Sequence, residues 1–286
     1  MVKHIGVVGA GTMGGGIAQV AALSKIEVVL YDINDTLLRQ ALERIKTDLK
    51  KGLEKGKLTK EQTTEAFARI HPRTHLADLG HSDVIVEAII EDLRVKRDLF
   101  KHLEADSKPG TILASNTSSL SITAIASGVR HPERVVGMHF FNPAHIMKLV
   151  EVVRGTQTSA ETVQRTIDLV QQLGKTPVVA KDTPGFIVNR VARPMYGEAL
   201  RLLGENVATV EEIDRIMKIE GGFAMGPFEL MDLIGIDVNL AVTQSVYDQF
   251  FGEPRYRPHP FQKQMVDAGM LGRKTKRGFY QYDDTK

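Results

Sequence analysis

The sequence predicts an α/β protein: a doubly wound, mainly parallel sheet in residues 1–183, followed by an all-helical C-terminal domain in residues 184–286. Three observations carry this reading. Short apolar runs alternate with helical patterns through the first half of the chain. A glycine-rich segment, Gly9 to Gly14, lies between the first apolar run and the first helical pattern. After Asp182-Thr183-Pro184-Gly185 the sequence is helical almost throughout, which puts the boundary near 182–186. With 286 residues, 42% of them hydrophobic, there is material for two cores.

Taken in order, His4 to Val8 reads as a buried strand and Glu27 to Tyr31 as the next, joined through a turn and a helix into one βαβ unit. Helical patterns follow over 35–55 and 59–69, then a strand at 83–87, a helix at 91–105 and a strand at 111–114. Residues 134–139 and 148–153 are two strand-like runs joined by a segment with Asn142-Pro143. One more helix and a strand at 177–180 complete the first domain. In the second, helical patterns cover 186–204, 210–219, 227–233 and 238–251, and the tail at Phe279-Tyr280-Gln281-Tyr282 suggests a docking strand or an extended cap.

Composition excludes several function classes. Thirty-seven basic against 35 acidic residues, a net charge of +2, give no global field that would favour nucleic acid or a membrane surface. The chain has no cysteine, so it has neither disulfides nor thiolate metal ligands nor a cysteine nucleophile, and no metal site is expected. The apolar start at Ile5 to Val8 is too short for a signal peptide or a membrane span, and a cytoplasmic location is expected.

Gly9-Ala10-Gly11-Thr12-Met13-Gly14 fits G-x-G-x-x-G in the strand-turn-helix context that gives the pattern meaning. The glycines let the backbone turn sharply against a pyrophosphate, whose charge meets free N–H groups and the positive helix end. Gly15 and Gly16 follow, and close helix-to-strand packing is expected to offset their helix-weakening effect. Asp32 ends the second strand about 20 residues on, where a carboxylate accepts both adenosine ribose hydroxyls and repels a 2′-phosphate. No arginine stands beside it. The cofactor expected of this Rossmann-like domain is therefore NAD.

Three further segments carry polar residues where a core wants apolar ones: Ser115 to Ser119, His139 to Pro143, and Leu149 to Val153 with Glu151 inside it. The first begins at the carboxyl end of a strand, where ligands bind in open α/β sheets, although a Ser/Thr helix cap reads the same way. A buried Glu151 needs a partner. If the two strands pair as a hairpin, His139 and Glu151 come close enough for the carboxylate to fix the imidazole tautomer, leaving the other nitrogen as a base. Spacing alone leaves open a core histidine beside a solvent-facing glutamate.

The glycine turn, Ala114-Ser115-Asn116-Thr117-Ser118-Ser119-Leu120, Gly137 to Pro143, Met147 to Glu151, Pro184 to Arg190, Met225-Gly226-Pro227 and the ending from Gly272-Arg273-Lys274 to Gly278-Phe279-Tyr280 together resemble the 3-hydroxyacyl-CoA dehydrogenase family, and within it the bacterial 3-hydroxybutyryl-CoA enzymes. The resemblance spans the whole chain. It implies His139 as catalytic base, Glu151 as its orienting carboxylate, and Ser118 and Asn189 as contacts to the substrate oxygen, so that the second domain contributes to the first domain's site. It further implies that Gly9, Gly11, Thr12, Met13, Gly14, Asp32, Glu91, Lys96, Asn116, Ser118 and Asn142 hold the cofactor, and that lysines of the long second helix meet CoA phosphates. Lys51 and Lys55 are the expected pair, one helical turn apart, although a solvated lysine face looks the same. Ala144-His145-Ile146 departs from the small or proline-rich segment expected after Asn142-Pro143.

The expected partner is an acyl-CoA, and the expected setting fatty acid metabolism. A homodimer through the C-terminal helices is expected too, because a helical domain of about 100 residues is small for a self-sufficient core. Two alternatives stay open at this point. One is a dehydrogenase of small free sugar acids, for which Lys51 and Lys55 have no use. The other is a non-catalytic NAD-binding protein, which has no chemical reason to keep Ser118, His139, Glu151 and Asn189 together.

Overall fold

The computed structural model describes residues 1–282, and the last four residues of the expected C-terminal domain lie outside the described part. The chain divides into two units, Met1–Thr183 and Pro184–Lys286.

The first unit is one eight-stranded sheet flanked by helices. Its strands are β1 (His4–Val8), β2 (Glu27–Tyr31), β3 (Ile70–Arg73), β4 (Val84–Glu87), β5 (Ile112–Ser115), β6 (Val135–Phe140), β7 (Leu149–Arg154) and β8 (Thr176–Lys181), in the order β3-β2-β1-β4-β5-β6-β7-β8. All pair in parallel except β6 with β7. The helices are α1 (Thr12–Leu23), α2 (Asp35–Glu54), α3 (Lys60–Ala68), α4 (Leu93–Asp106), α5 (Ile122–Ala126) and α6 (Ala160–Gln172).

The central strands β1 and β4 are apolar on both faces because helices cover both, as an all-parallel core requires. Helix ends follow the sequence closely. Asn34 and Asp92 each accept two backbone N–H groups at the starts of α2 and α4, and Thr59 forms a capping box with Gln62 ahead of α3. Strand β3 has no apolar run to announce it. Its Ile-His-Pro-Arg sequence carries a proline, which is tolerated because the strand lies at the sheet edge.

The second unit is helical: α7 (Val188–Gly204), α8 (Val210–Ile219), α9 (Pro227–Ile234), α10 (Ile236–Gln249) and α11 (Pro260–Asp267). Helix α7 starts two residues later than its apolar pattern, because Gly185 and Phe186 both adopt positive φ, 73° and 50°. Two buried carboxylates organise this unit. Asp214 accepts the Phe228 and Glu229 N–H groups that open α9, and the Tyr280 hydroxyl. Asp232, 1% exposed, accepts the Phe279 and Tyr280 N–H groups and the Tyr282 hydroxyl. Burial, reinforced by that bond, pushes the Tyr282 phenol up to about 12. The tail is thus a cap held by side chains and isolated bridges rather than a docking strand. No helix among the described residues is long and apolar enough to cross a membrane.

At the opposite end of the sheet from the strands' carboxyl termini, Asp83 accepts the Lys3 and His4 N–H groups and the Lys108 ammonium, at 2.9, 3.1 and 2.7 Å. Burial opposes its ionisation, but those donors outweigh it and hold the carboxyl at about 2, below its usual 3.8. A depressed pKa adds stability above the unfolded value and loses it as pH falls toward the folded one. Between about pH 4 and 2 the urea-unfolding free energy is therefore expected to fall less steeply in Asp83→Asn than in wild type. Identical slopes would show that Asp83 is not linked to folding.

Candidate active site

The turn after β1 is built by close backbone approach. Gly9 has φ 99°, and a Cβ there would stand 2.6 Å from the Ala88 carbonyl oxygen. A Cβ on Gly14 would stand 1.8 Å from the Gly9 carbonyl oxygen. Gly11, the N-cap of α1, has open space where its Cβ would be, and no side chain caps the helix. A tight turn with room in front of an uncapped helix start, where Thr12 is exposed and Met13 half-buried, fits a pyrophosphate. Of the two following glycines, Gly15 faces Ala41 of α2 at 3.8 Å. Gly16 faces Ala144 in the segment after β6 at 3.0 Å. Their packing is against a helix and a loop, not the strand that the sequence suggested. The buried Ala144 is itself the small residue that this contact needs.

Asp32 follows β2 and is 9% exposed. Its Oδ2 accepts the Ala10 N–H at 2.8 Å and its Oδ1 the Asn34 N–H at 3.0 Å. A carboxylate oxygen has more than one acceptor site, so these bonds leave capacity for ribose hydroxyls. The Ala10 carbonyl accepts Nη2 of Arg44 at 2.8 Å. The two peptide groups that flank the Ala10 Cα are thereby each held by a side chain.

On the other side of β1 the register aligns the strand ends, with Val8 opposite Glu87 and Glu87 opposite Ser115. The crossover direction changes between β1 and β4, which is the crevice where dinucleotides bind in such sheets. Glu87 and Lys96 are buried, at 0% and 1% exposed, and the Lys96 ammonium lies 2.5 Å from Glu87 Oε1 and 3.1 Å from Glu91 Oε2. Ser115 donates to Glu87 at 2.6 Å, Thr117 donates to Glu91, and the Ser118 N–H donates to Glu91 at 3.1 Å. Burial works against ionising Glu91, but the Lys96 charge and these donors prevail and keep its carboxyl below the ordinary range. The 115–118 segment is thus tied to two carboxylates rather than capping a helix. Asn116 accepts the Phe140 N–H at 2.9 Å, bracing the strand that carries His139.

Strands β6 and β7 pair antiparallel with His139 directly opposite Glu151. Nδ1 of His139 lies 2.7 Å from Glu151 Oε2, with the residues 5% and 0% exposed. A carboxylate only accepts, so Nδ1 carries a proton, and in the neutral ring the lone pair is on Nε2. This is the hairpin geometry in which a histidine acts as an oriented base. Phe141 lies against the ring, centroids 4.5 Å apart.

The remaining candidates are more dispersed. Asn142, exposed, precedes a cis bond to Pro143. Lys51 and Lys55 are exposed at the end of α2, Lys51 lying 3.7 Å from Asp48. In the second unit Asn189 lies in the first turn of α7, where its Oδ1 accepts from Arg193. Glu87, Arg44 and Arg193 were not expected. Glu87 could have been found by the argument that singled out Glu151, a carboxylate at the end of an apolar strand, whereas nothing in the sequence marks either arginine.

Residues 4–183 match the family model of the 3-hydroxyacyl-CoA dehydrogenase NAD binding domain, and residues 185–282 match that of the C-terminal domain. A 3-hydroxyadipyl-CoA dehydrogenase of Escherichia coli is 48% identical over 98% of this chain, which spans 59% of that protein's length. A 3-hydroxybutyryl-CoA dehydrogenase of Clostridioides difficile is 44% identical, covering 98% of this chain and 99% of its own. Among solved structures, an (S)-3-hydroxybutyryl-CoA dehydrogenase of Ralstonia eutropha superimposes with a TM-score of 0.94 at 43% identity, over 99% of this chain and 100% of its own.

Removing one partner of a buried ion pair strands the other charge, at a cost of about 3–5 kcal/mol. Lys96→Met is expected to lose stability on that scale in urea unfolding, and Glu87→Leu with Lys96→Met to recover part of it. A wild-type midpoint for Lys96→Met would mean that the pair does not hold the site together.

Proposed function

The chain belongs to the 3-hydroxyacyl-CoA dehydrogenase family, and from that premise we propose that it interconverts (S)-3-hydroxybutyryl-CoA and acetoacetyl-CoA, with His139 as general base and acid. The observation that carries the mechanism is the buried 2.7 Å bond between His139 Nδ1 and Glu151 at the carboxyl edge of the sheet. NAD, when bound, would supply the acceptor for the hydride that leaves C3. The open face of Gly11, the uncapped start of α1 and Asp32 suit its pyrophosphate and ribose, and Glu91, Lys96, Asn116 and Asn142 are the further residues we assign to it.

In oxidation, Nε2 of His139 accepts the 3-hydroxyl proton as the C–H bond breaks, and the C3–O bond becomes a carbonyl. The imidazolium so formed lies against Glu151, which stabilises it and holds the ring in place. In reduction the same proton returns from Nε2 to the substrate oxygen. Ser118 and Asn189 donate hydrogen bonds to that oxygen and hold it in line. Lys51 and Lys55 meet the CoA phosphates, a role their exposure allows.

The purified protein is expected to oxidise NADH on addition of acetoacetyl-CoA, but not of free acetoacetate. His139→Ala should lower kcat at least about a hundredfold, the scale of a lost general base, with NADH affinity nearly unchanged. Asp32→Ala should weaken NAD and narrow its advantage over NADP. Retained turnover in His139→Ala would remove it from the mechanism. Turnover of free hydroxy acids in place of the thioester would identify a sugar-acid dehydrogenase instead.

We also propose self-association through the helical unit, in a cytoplasmic protein. Val191, Ile219 and Phe251 expose 71%, 69% and 99% of their surface in the single chain, apolar surface that a second copy would bury. Sedimentation at micromolar concentration is expected to give a dimer, and a monomer would refute the assignment.

A further inference from the structure

Arg193 lies one helical turn after Asn189 on α7 and is 4% exposed. Its Nη2 donates to Asn189 Oδ1 at 3.0 Å, and its Nη1 to the Asn239 carbonyl oxygen at 3.0 Å and to Thr243 Oγ1 at 3.2 Å. The guanidinium also stands 4.8 Å over the Tyr196 ring. Every one of these partners is neutral. Burial pulls the Arg193 pKa down to about 10, opposed only by Tyr196, so the group remains a cation at neutral pH.

A buried cation without a counter-ion is costly, and a well-packed apolar side chain of similar volume fills such a place at least as well. Helix packing alone therefore gives no reason for an arginine here. Its bond to Asn189 does. A guanidinium offers donors and no acceptor, so the amide oxygen of Asn189 must face it, and the Nδ2 end must point the opposite way. The two ends of a side-chain amide are nearly equal in size, so a donor of this kind selects one orientation. The guanidinium charge held against the amide oxygen also withdraws electron density from Nδ2–H, which makes it a stronger donor.

We propose that Arg193 is a positioning residue that presents the Asn189 amide, N–H end outward and polarised, to the substrate's reacting oxygen. This rests on the reading above, in which Asn189 meets that oxygen. Negative charge grows on the oxygen in the transition state, so a polarised donor assists kcat more than ground-state binding.

The test is a double-mutant cycle between Arg193 and Asn189, read in steady-state reduction of acetoacetyl-CoA by NADH, with thermal unfolding and NADH affinity measured for each protein. Arg193→Met is expected to lower kcat about tenfold or more, with both KM values and NADH affinity within about twofold. Arg193→Lys, which keeps the charge but not the fork, should recover part of the loss. It also carries the cycle if the methionine variant does not fold. In an Asn189→Ala background the Arg193 substitution should change kcat less than about twofold, because its effect passes through the missing amide. Equal losses in both backgrounds, or no loss in folded Arg193→Met, would overturn the assignment while leaving Asn189 in place. Full turnover in Asn189→Ala alone would remove the Asn189 reading, and this one with it.

Discussion

Glu151 is a carboxylate with no exposed surface in the middle of a strand, and the site is arranged around giving that group a partner. An antiparallel pair supplies one by register alone, since residues directly opposite share a face and lie within side-chain reach. The chain is parallel elsewhere in the sheet, and reverses direction at the one junction where His139 meets Glu151. A slip of one residue would turn both side chains to opposite faces and leave two buried polar groups unmatched. The cost of that alternative fixes the hairpin, and the hairpin fixes which imidazole nitrogen carries the proton.

The same logic extends along the carboxyl edge of the sheet. Glu87 and Lys96 neutralise each other where neither reaches water, and Glu91 shares the same ammonium. Through Ser115, Thr117 and the Ser118 backbone, these charges hold the segment that we assign to the reacting oxygen. The strands below are apolar on both faces, so the polar chemistry is confined to one rim. Confinement of this kind keeps catalytic groups on rigid elements and out of bulk solvent, where their mutual interactions would be screened.

How far the sequence discloses this depends on how local each signal is. The glycine turn, Asp32 and the alternation of strands and helices depend on spacing within about 30 residues, and they are legible. The His139–Glu151 pair is legible only once the two runs are taken as a hairpin. Lys51 and Lys55 are two cations on a helix face whether or not a ligand uses them. Strand β3 escapes notice because an edge strand containing proline needs no apolar pattern. The anchor of α5 comes from Asp182, some sixty positions on, which accepts the Ile122 and Thr123 N–H groups. Arg193 is invisible for the same reason: an arginine within a helix looks like surface until the neighbouring helix is placed beside it.

Ala10, held by Asp32 on its N–H and by Arg44 on its carbonyl, joins two functions that are usually treated as separate. The residue that we assign to the ribose is also a structural member of the glycine turn. Attempts to redesign the enzyme for a phosphorylated cofactor by exchanging position 32 alone would therefore loosen the turn while changing the selection. A workable redesign has to supply a new acceptor for the Ala10 N–H together with a cation for the added phosphate, which makes cofactor preference here a property of at least two coupled positions.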